Sequence, residues 1–95
     1  GIIKVFEFNT EIKSINDLQP DMVLPGVITN ITNFGAFVDI GIKKDGLVHI
    51  SEISDEFISD ISTAVRLNQQ VMVKVLSADN NTGRIQFSMK GIQQP

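Results

Sequence analysis

The sequence predicts an all-β fold: a five-stranded antiparallel barrel with short helical segments between the third and fourth strands. Three observations carry this. Residues 84–90 alternate, with Ile85, Phe87 and Met89 set against Arg84, Gln86, Ser88 and Lys90, the period of a strand with one buried and one wet face. Residues 70–78 alternate as well, Val71, Val73 and Val75 against Met72, Lys74 and Leu76. Residues 33–51 read as two short strands joined by a turn, with Asp45-Gly46 as the turn signal before the second apolar run. At 95 residues the chain makes one small domain.

In chain order, residues 1–17 read as a connector from a preceding domain. Val5 and Glu7 alternate with Phe6 and Phe8, an extended segment whose phenylalanines dock on the barrel or on that domain; an extra recognition strand is the alternative. Residues 10–17 form a helical turn. Gln19-Pro20-Asp21 is a turn, because proline fixes φ and pushes the residue before it towards extended geometry. The first strand covers residues 22–32 with Val27, Ile28 and Ile31 as core candidates, and Pro25-Gly26 marks an edge or a bend. The second strand is 33–40, the third 47–50. Between 51 and 67, Phe57, Ile61 and Val65 recur every four residues, one face of a helix. Ser54 with Asp55 and Glu56 reads as its N-cap, and Asp60 or Ser62 caps a second piece through Arg66. Both pieces plug the barrel end, with Phe57 as a core residue. Asn68 tolerates positive φ in the turn before strand four. Residues 79–83 are a hairpin loop, and 91–95 a frayed tail. The division is therefore connector 1–17, barrel 18–91, tail 92–95.

Composition excludes several classes. No apolar run reaches the length of a membrane span and no signal peptide opens the chain. The absence of cysteine rules out disulfides and thiolate metal sites and fits a cytoplasmic protein. The chain opens on Gly1 rather than methionine, which reads as a piece of a longer protein. One histidine, no cysteine, scattered carboxylates and no Gly-rich phosphate loop leave no catalytic constellation, no metal site and no cofactor site. The expectation is no enzyme. Net charge is −3 with eight basic residues, so any nucleic-acid binding needs those residues on one face, or help from elsewhere in a parent protein.

Binding chemistry gathers in residues 33–51. Phe34 and Phe37 are three apart, which in a regular strand puts the rings on opposite faces. A bulge at Gly35 brings both to one face. In the alternative, Phe34 caps the core. His49 alternates with Val48 and Ile50; with those two facing the core, it faces solvent beside the phenylalanines. Two rings and an imidazole on one sheet suit base stacking. Lys43 and Lys44 in the intervening loop meet phosphate or are only solubilising.

Five strands with helical pieces after the third suggest a small barrel of the oligonucleotide-binding (OB) type, in which strands two and three bind the ligand. Asn-Phe-Gly-Ala-Phe-Val-Asp followed by Asp-Gly-Leu-Val-His-Ile-Ser resembles the S1 RNA-binding domain, over residues 18–90. The resemblance implies RNA contacts from Phe34, Phe37 and His49. It also implies a role for Asp79, ending strand four, and for Arg84, opening strand five. Arg84 contacts phosphate or stacks on a base; Asp79 orients Arg84 or accepts from a base or ribose, or it is an Asx-turn residue. The run from Ile15 to Gly41 is similar to the C-terminal domain of the bacterial transcription accessory protein family. Asp21 and Asn68 stand where relatives often carry glycine, and Ile61 where they often carry proline. Polynucleotide phosphorylase, ribonuclease E and the ribosomal S1 protein also carry such domains. The expected partners are single-stranded RNA, with DNA left open, and the transcription machinery through a parent protein. The rival is a protein-interaction module using the same exposed face.

Overall fold

Alternating valines and isoleucines build a closed barrel whose strands follow the order β1-β2-β3-β5-β4. The structure, a computed structural model, describes residues 7–95; the expected extended run through Val5 and the expected docking of Phe6 fall outside them. The strands are β1 (Val23–Ile31), β2 (Gly35–Asp39), β3 (Gly46–His49), β4 (Gln70–Asp79) and β5 (Arg84–Ser88). All five lie within a residue or two of their expected bounds. This is the small all-β barrel that the patterning predicts.

The expected all-antiparallel pairing is corrected at one seam. β1–β2, β1–β4, β2–β3 and β4–β5 are antiparallel, but β3 and β5 run parallel, with Leu47 opposite Gln86 and Val48 opposite Phe87. The reason is parity: an odd number of strands cannot alternate direction all the way round a closed ring. The bulge also stands elsewhere than expected. Ile28 pairs with Val38 and Asn30 with Phe37, so the extra residue is Thr29 in β1, not Gly35. A second irregularity inserts Leu76 in β4, between Val75 and Ser77. Bulges bend a strand and increase its twist, which a barrel this small needs. Pro25 sits where β1 has only β4 beside it, because β2 pairing begins at Val27, so its missing N–H leaves no gap in a ladder.

The core holds the inward residues of every strand: Ile28, Val38, Val48, Val71, Val73, Val75 and Phe87 are fully buried. Gly46 is glycine because the Phe87 ring lies over it; a Cβ there would overlap the ring. Asp21 and Asn68 both have positive φ, 72° and 66°, the geometry that glycine adopts most freely. The lead-in packs on the barrel: Ile12 and Leu18 are buried, and Phe8 lies against Gly41. A 3-10 turn at Ile15–Asp17 carries a Ser14–Asp17 capping box. The expected frayed tail is tied down instead. The Gln94 side chain donates to the Met72 carbonyl at 2.9 Å and accepts from the Met72 N–H at 2.8 Å.

Between β3 and β4 there are two short 3-10 turns, Ile50–Glu52 and Ile61–Thr63, rather than an amphipathic helix. Ile61 and Val65 are buried, but Phe57 is 93% exposed and plugs nothing. The four-residue spacing fails because Asp60 is extended (φ −131°, ψ 110°), which breaks any helical register between Phe57 and Ile61. Ser54 serves a local turn, its hydroxyl accepting from the Glu56 N–H. Asp60 is the cap, accepting from the Ser62 hydroxyl at 2.7 Å and the Ser62 N–H at 3.0 Å.

Three outcomes follow. In urea titrations Gly46→Ala loses about 1–3 kcal/mol through overpacking against Phe87. Phe57→Ser changes stability by no more than about 0.5 kcal/mol, where a core phenylalanine costs about 3–5 kcal/mol. The Ser62 hydroxyl, then the Ser62 N–H, holds the Asp60 carboxyl below the usual carboxylate range. A folded pKa below the unfolded one means stability present at neutral pH and lost as pH falls through the folded value. The stability gap between wild type and Asp60→Ala therefore narrows on acidification below about pH 4.

Candidate nucleic-acid interface

The outer face of β2, β3 and β5 collects the candidate residues. Register sets Phe37 opposite Leu47 and Gly35 opposite His49, and the parallel seam adds Gln86 beside Leu47. Directly opposed residues share a face. Gly35 is required here by a close approach: a Cβ would overlap the Val48 carbonyl oxygen and stand 2.9 Å from Leu47 Cδ1.

Phe34 reaches the same face from outside β2. Thr32 closes the turn before the strand: its hydroxyl oxygen accepts from the Phe34 and Gly35 N–H groups at 3.3 and 3.2 Å, and its own N–H donates to the Gly35 carbonyl. This turn interrupts the alternation. Phe34 is 50% exposed rather than a core cap. Its ring meets Phe37 edge to face, centroids 6.4 Å apart and planes at 87°, a favoured aromatic geometry. The two rings thus share a face, as expected, through a turn rather than a bulge at Gly35.

Around this pair lies a groove of about 390 Å³, lined by Phe34, Phe37, Asp45, Leu47, Arg84 and Gln86 among others. Arg84 stands at the start of β5, opposite Asp79 in register. The Asp79 carboxylate accepts from the Asn81 N–H at 2.9 Å, the Asx-turn arrangement. Asp45 accepts from the Thr29 hydroxyl at 2.6 Å, tying the bulge to the groove.

His49 is exposed, further along the face than the groove itself. Its Nδ1 accepts from the Ser51 N–H at 3.2 Å and lies 2.8 Å from the Ser51 hydroxyl. That contact leaves Nε2 as the donor of the neutral ring. Lys44 lies across Gly83, at the groove's other end; its Cε and Nζ are 3.2 and 3.3 Å from where a Cβ on that glycine would stand. Lys43 turns to a neighbouring groove with Lys13.

Leu47, Gln86 and Asp45 are the groove residues that sequence reasoning missed. Gln86 was visible as a polar-face residue of strand five, but nothing in the pattern paired that strand with the third. Among the described residues no cluster of three or more His, Asp or Glu side chains suits a metal ion, and no helix is long and apolar enough to cross a membrane.

Comparison with known proteins gives this face a context. The family model described as S1 RNA binding domain matches residues 17–90. The chain is 49% identical over 92 residues to Protein YhgF of Escherichia coli, covering 97% of this chain and 12% of that protein. It is 44% identical over 95 residues to the Transcriptional accessory protein Tex of Neisseria gonorrhoeae, covering all of this chain and again 12% of the relative. Among solved structures, GSP13 from Bacillus subtilis superposes with a TM-score of 0.73 at 33% identity, over 82% of this chain and 58% of that one. A barrel of this topology, matched by that family model over most of its length, belongs to the S1 RNA-binding domain family.

Proposed function

We propose that the chain is a single-stranded RNA-binding module that works by aromatic stacking and phosphate contact, with little sequence preference, and does no chemistry itself. The observation that carries this reading is the pair of the half-exposed Phe34 and the partly buried Phe37 in a groove that also holds Arg84, with Lys44 at its end. Bases stack on the rings, and every base has a π-face, so stacking tolerates any sequence. Arg84 and Lys44 neutralise phosphate, and His49 donates from Nε2 or stacks. Asp79 holds the β4–β5 turn that presents Arg84. The binding unit is residues 18–91, with the lead-in packed against it through Ile12 and a short tail, 92–95. Because the chain spans 12% of the relatives' length, its parent's role is a further step. Likeness to a transcriptional accessory protein supports a cytoplasmic bacterial protein that brings this module to the transcription machinery.

A rival reading puts a protein partner on the same face. It draws on the net charge of −3 and on Asp45 in the groove. Salt separates the two, because RNA affinity falls with a slope of roughly −0.7 per phosphate neutralised.

Anisotropy titrations of a dye-labelled single-stranded RNA test the proposal. Phe37→Ala weakens binding by about 1–3 kcal/mol, roughly 5- to 150-fold, with an unchanged urea midpoint as the control for folding. His49→Ala weakens it less, and added salt weakens all three proteins. A matched DNA reads selectivity, which rests on contact with the 2′-hydroxyl. Absence of binding at low salt, or binding indifferent to Phe37→Ala, overturns the proposal.

A further inference from the structure

The aromatic groove has two exits, and their charges differ. β3 and β5 run parallel, so both lead away from the Lys44–Gly83 end, β3 into the segment after His49 and β5 to Lys90. The groove there, about 300 Å³, is flanked by Asp55, Glu56 and the exposed Phe57, with Lys90 as its one cation. A polyanion gains little on that side.

At the other end a second groove of about 350 Å³ opens beyond Lys44. It is lined by Lys13, Ser14, Ile15, Ile42, Lys43 and Lys44. Lys44 borders this groove and also lies over Gly83, which borders the aromatic one, so the two lie on either side of the Lys44 side chain. The nearby carboxylates keep their charge but are held by local donors. Asp17 accepts from the Lys13 and Ser14 N–H groups, Asp39 from the Gly41 N–H, Asp45 from Thr29 and Asp79 from Asn81. The three lysine side chains are exposed, while Ile15 and Ile42 are partly buried against the core and offer an apolar floor.

We propose that this lysine-rimmed groove is a second subsite for the same single strand, which leaves the aromatic pair over Gly83 and Lys44 and continues towards Lys13 rather than towards Phe57. The inference rests on the reading of the aromatic groove as the RNA site and adds direction and length to it. Lysine rims bind phosphates as point charges, and the isoleucine floor takes a base or ribose. The lead-in, expected to be a connector, then supplies part of the binding surface through Lys13.

The test uses two labelled oligouridylates, of roughly 4 and about 12 nucleotides, within the range of sites covered by one such barrel. Each is titrated with wild type, the double variant Lys13→Gln/Lys43→Gln, and Phe37→Ala. Both lysines are exposed, so their exchange leaves the fold intact. The expected result is selective. The double variant binds the shorter oligomer within about twofold of wild type but the longer one about 5- to 10-fold more weakly, and its salt slope on the longer one is shallower by roughly 1.4. Phe37→Ala weakens both. If the double variant binds both lengths like wild type, or loses equally on both, the subsite is overturned while the aromatic reading stands. If the double variant loses the longer oligomer and Phe37→Ala loses neither, the aromatic reading fails and the lysine groove remains as a site.

Discussion

The parallel contact between β3 and β5 is the constraint on which the rest depends. An odd ring of strands must close through one parallel seam, and here it sets Leu47 beside Gln86 and Val48 beside Phe87. The inner half of the seam is core: Val48 and Phe87 are fully buried, and the Phe87 ring fills the space left by Gly46. The outer half is the candidate site, because only this closure brings Arg84 and Gln86 next to the hairpin that carries Phe37 and His49. Packing and the proposed recognition are two faces of one pairing. The clash that makes Gly46 a glycine therefore supports the groove as well as the core.

Charge distribution answers the difficulty that net charge raises. A chain at −3 is a poor polyanion binder if its charges are mixed. The fold gathers four of the basic residues along the β3–β5 axis, although Asp45 lines the same groove as Arg84. Lys44 and Arg84 gather at one end, with Lys13 and Lys43 in the adjoining groove, while Asp55 and Glu56 stand at the other beside Phe57. Asp17, Asp39, Asp45 and Asp79 near the basic end accept from local donors and keep their charge, so it is the clustering of the cations, not a net positive end, that favours a polyanion there.

Much of this was legible in the residues, for identifiable reasons. Alternation over residues 71–75 and 84–87 declares the buried faces without help from tertiary context, but it fails at the Leu76 bulge and at Ser88, which the pattern put on the wet face and the structure buries beside Phe87 and Met89. Asn68 was readable as a positive-φ turn residue, and it and Asp21 both have φ near 70°. The display of Phe34 and Phe37 on one face was foreseen, but its cause was not, because the Thr32 turn depends on hydrogen bonds that periodicity does not encode. Phe57 misled for a related reason. A four-residue spacing marks a helix face only if the backbone between is helical, and the extended Asp60 breaks it. The parallel seam was invisible, since alternation identifies strands and not their neighbours, and Gln86 went unassigned with it.

The most direct test of the account is a backbone amide chemical-shift titration of the chain with a short single-stranded RNA. The account predicts that the largest shifts fall on Gly35, Phe37, Leu47, His49, Arg84 and Gln86, on both sides of the parallel seam. Shifts concentrated between residues 51 and 60, around the exposed Phe57, or no shifts at saturating RNA, would contradict it.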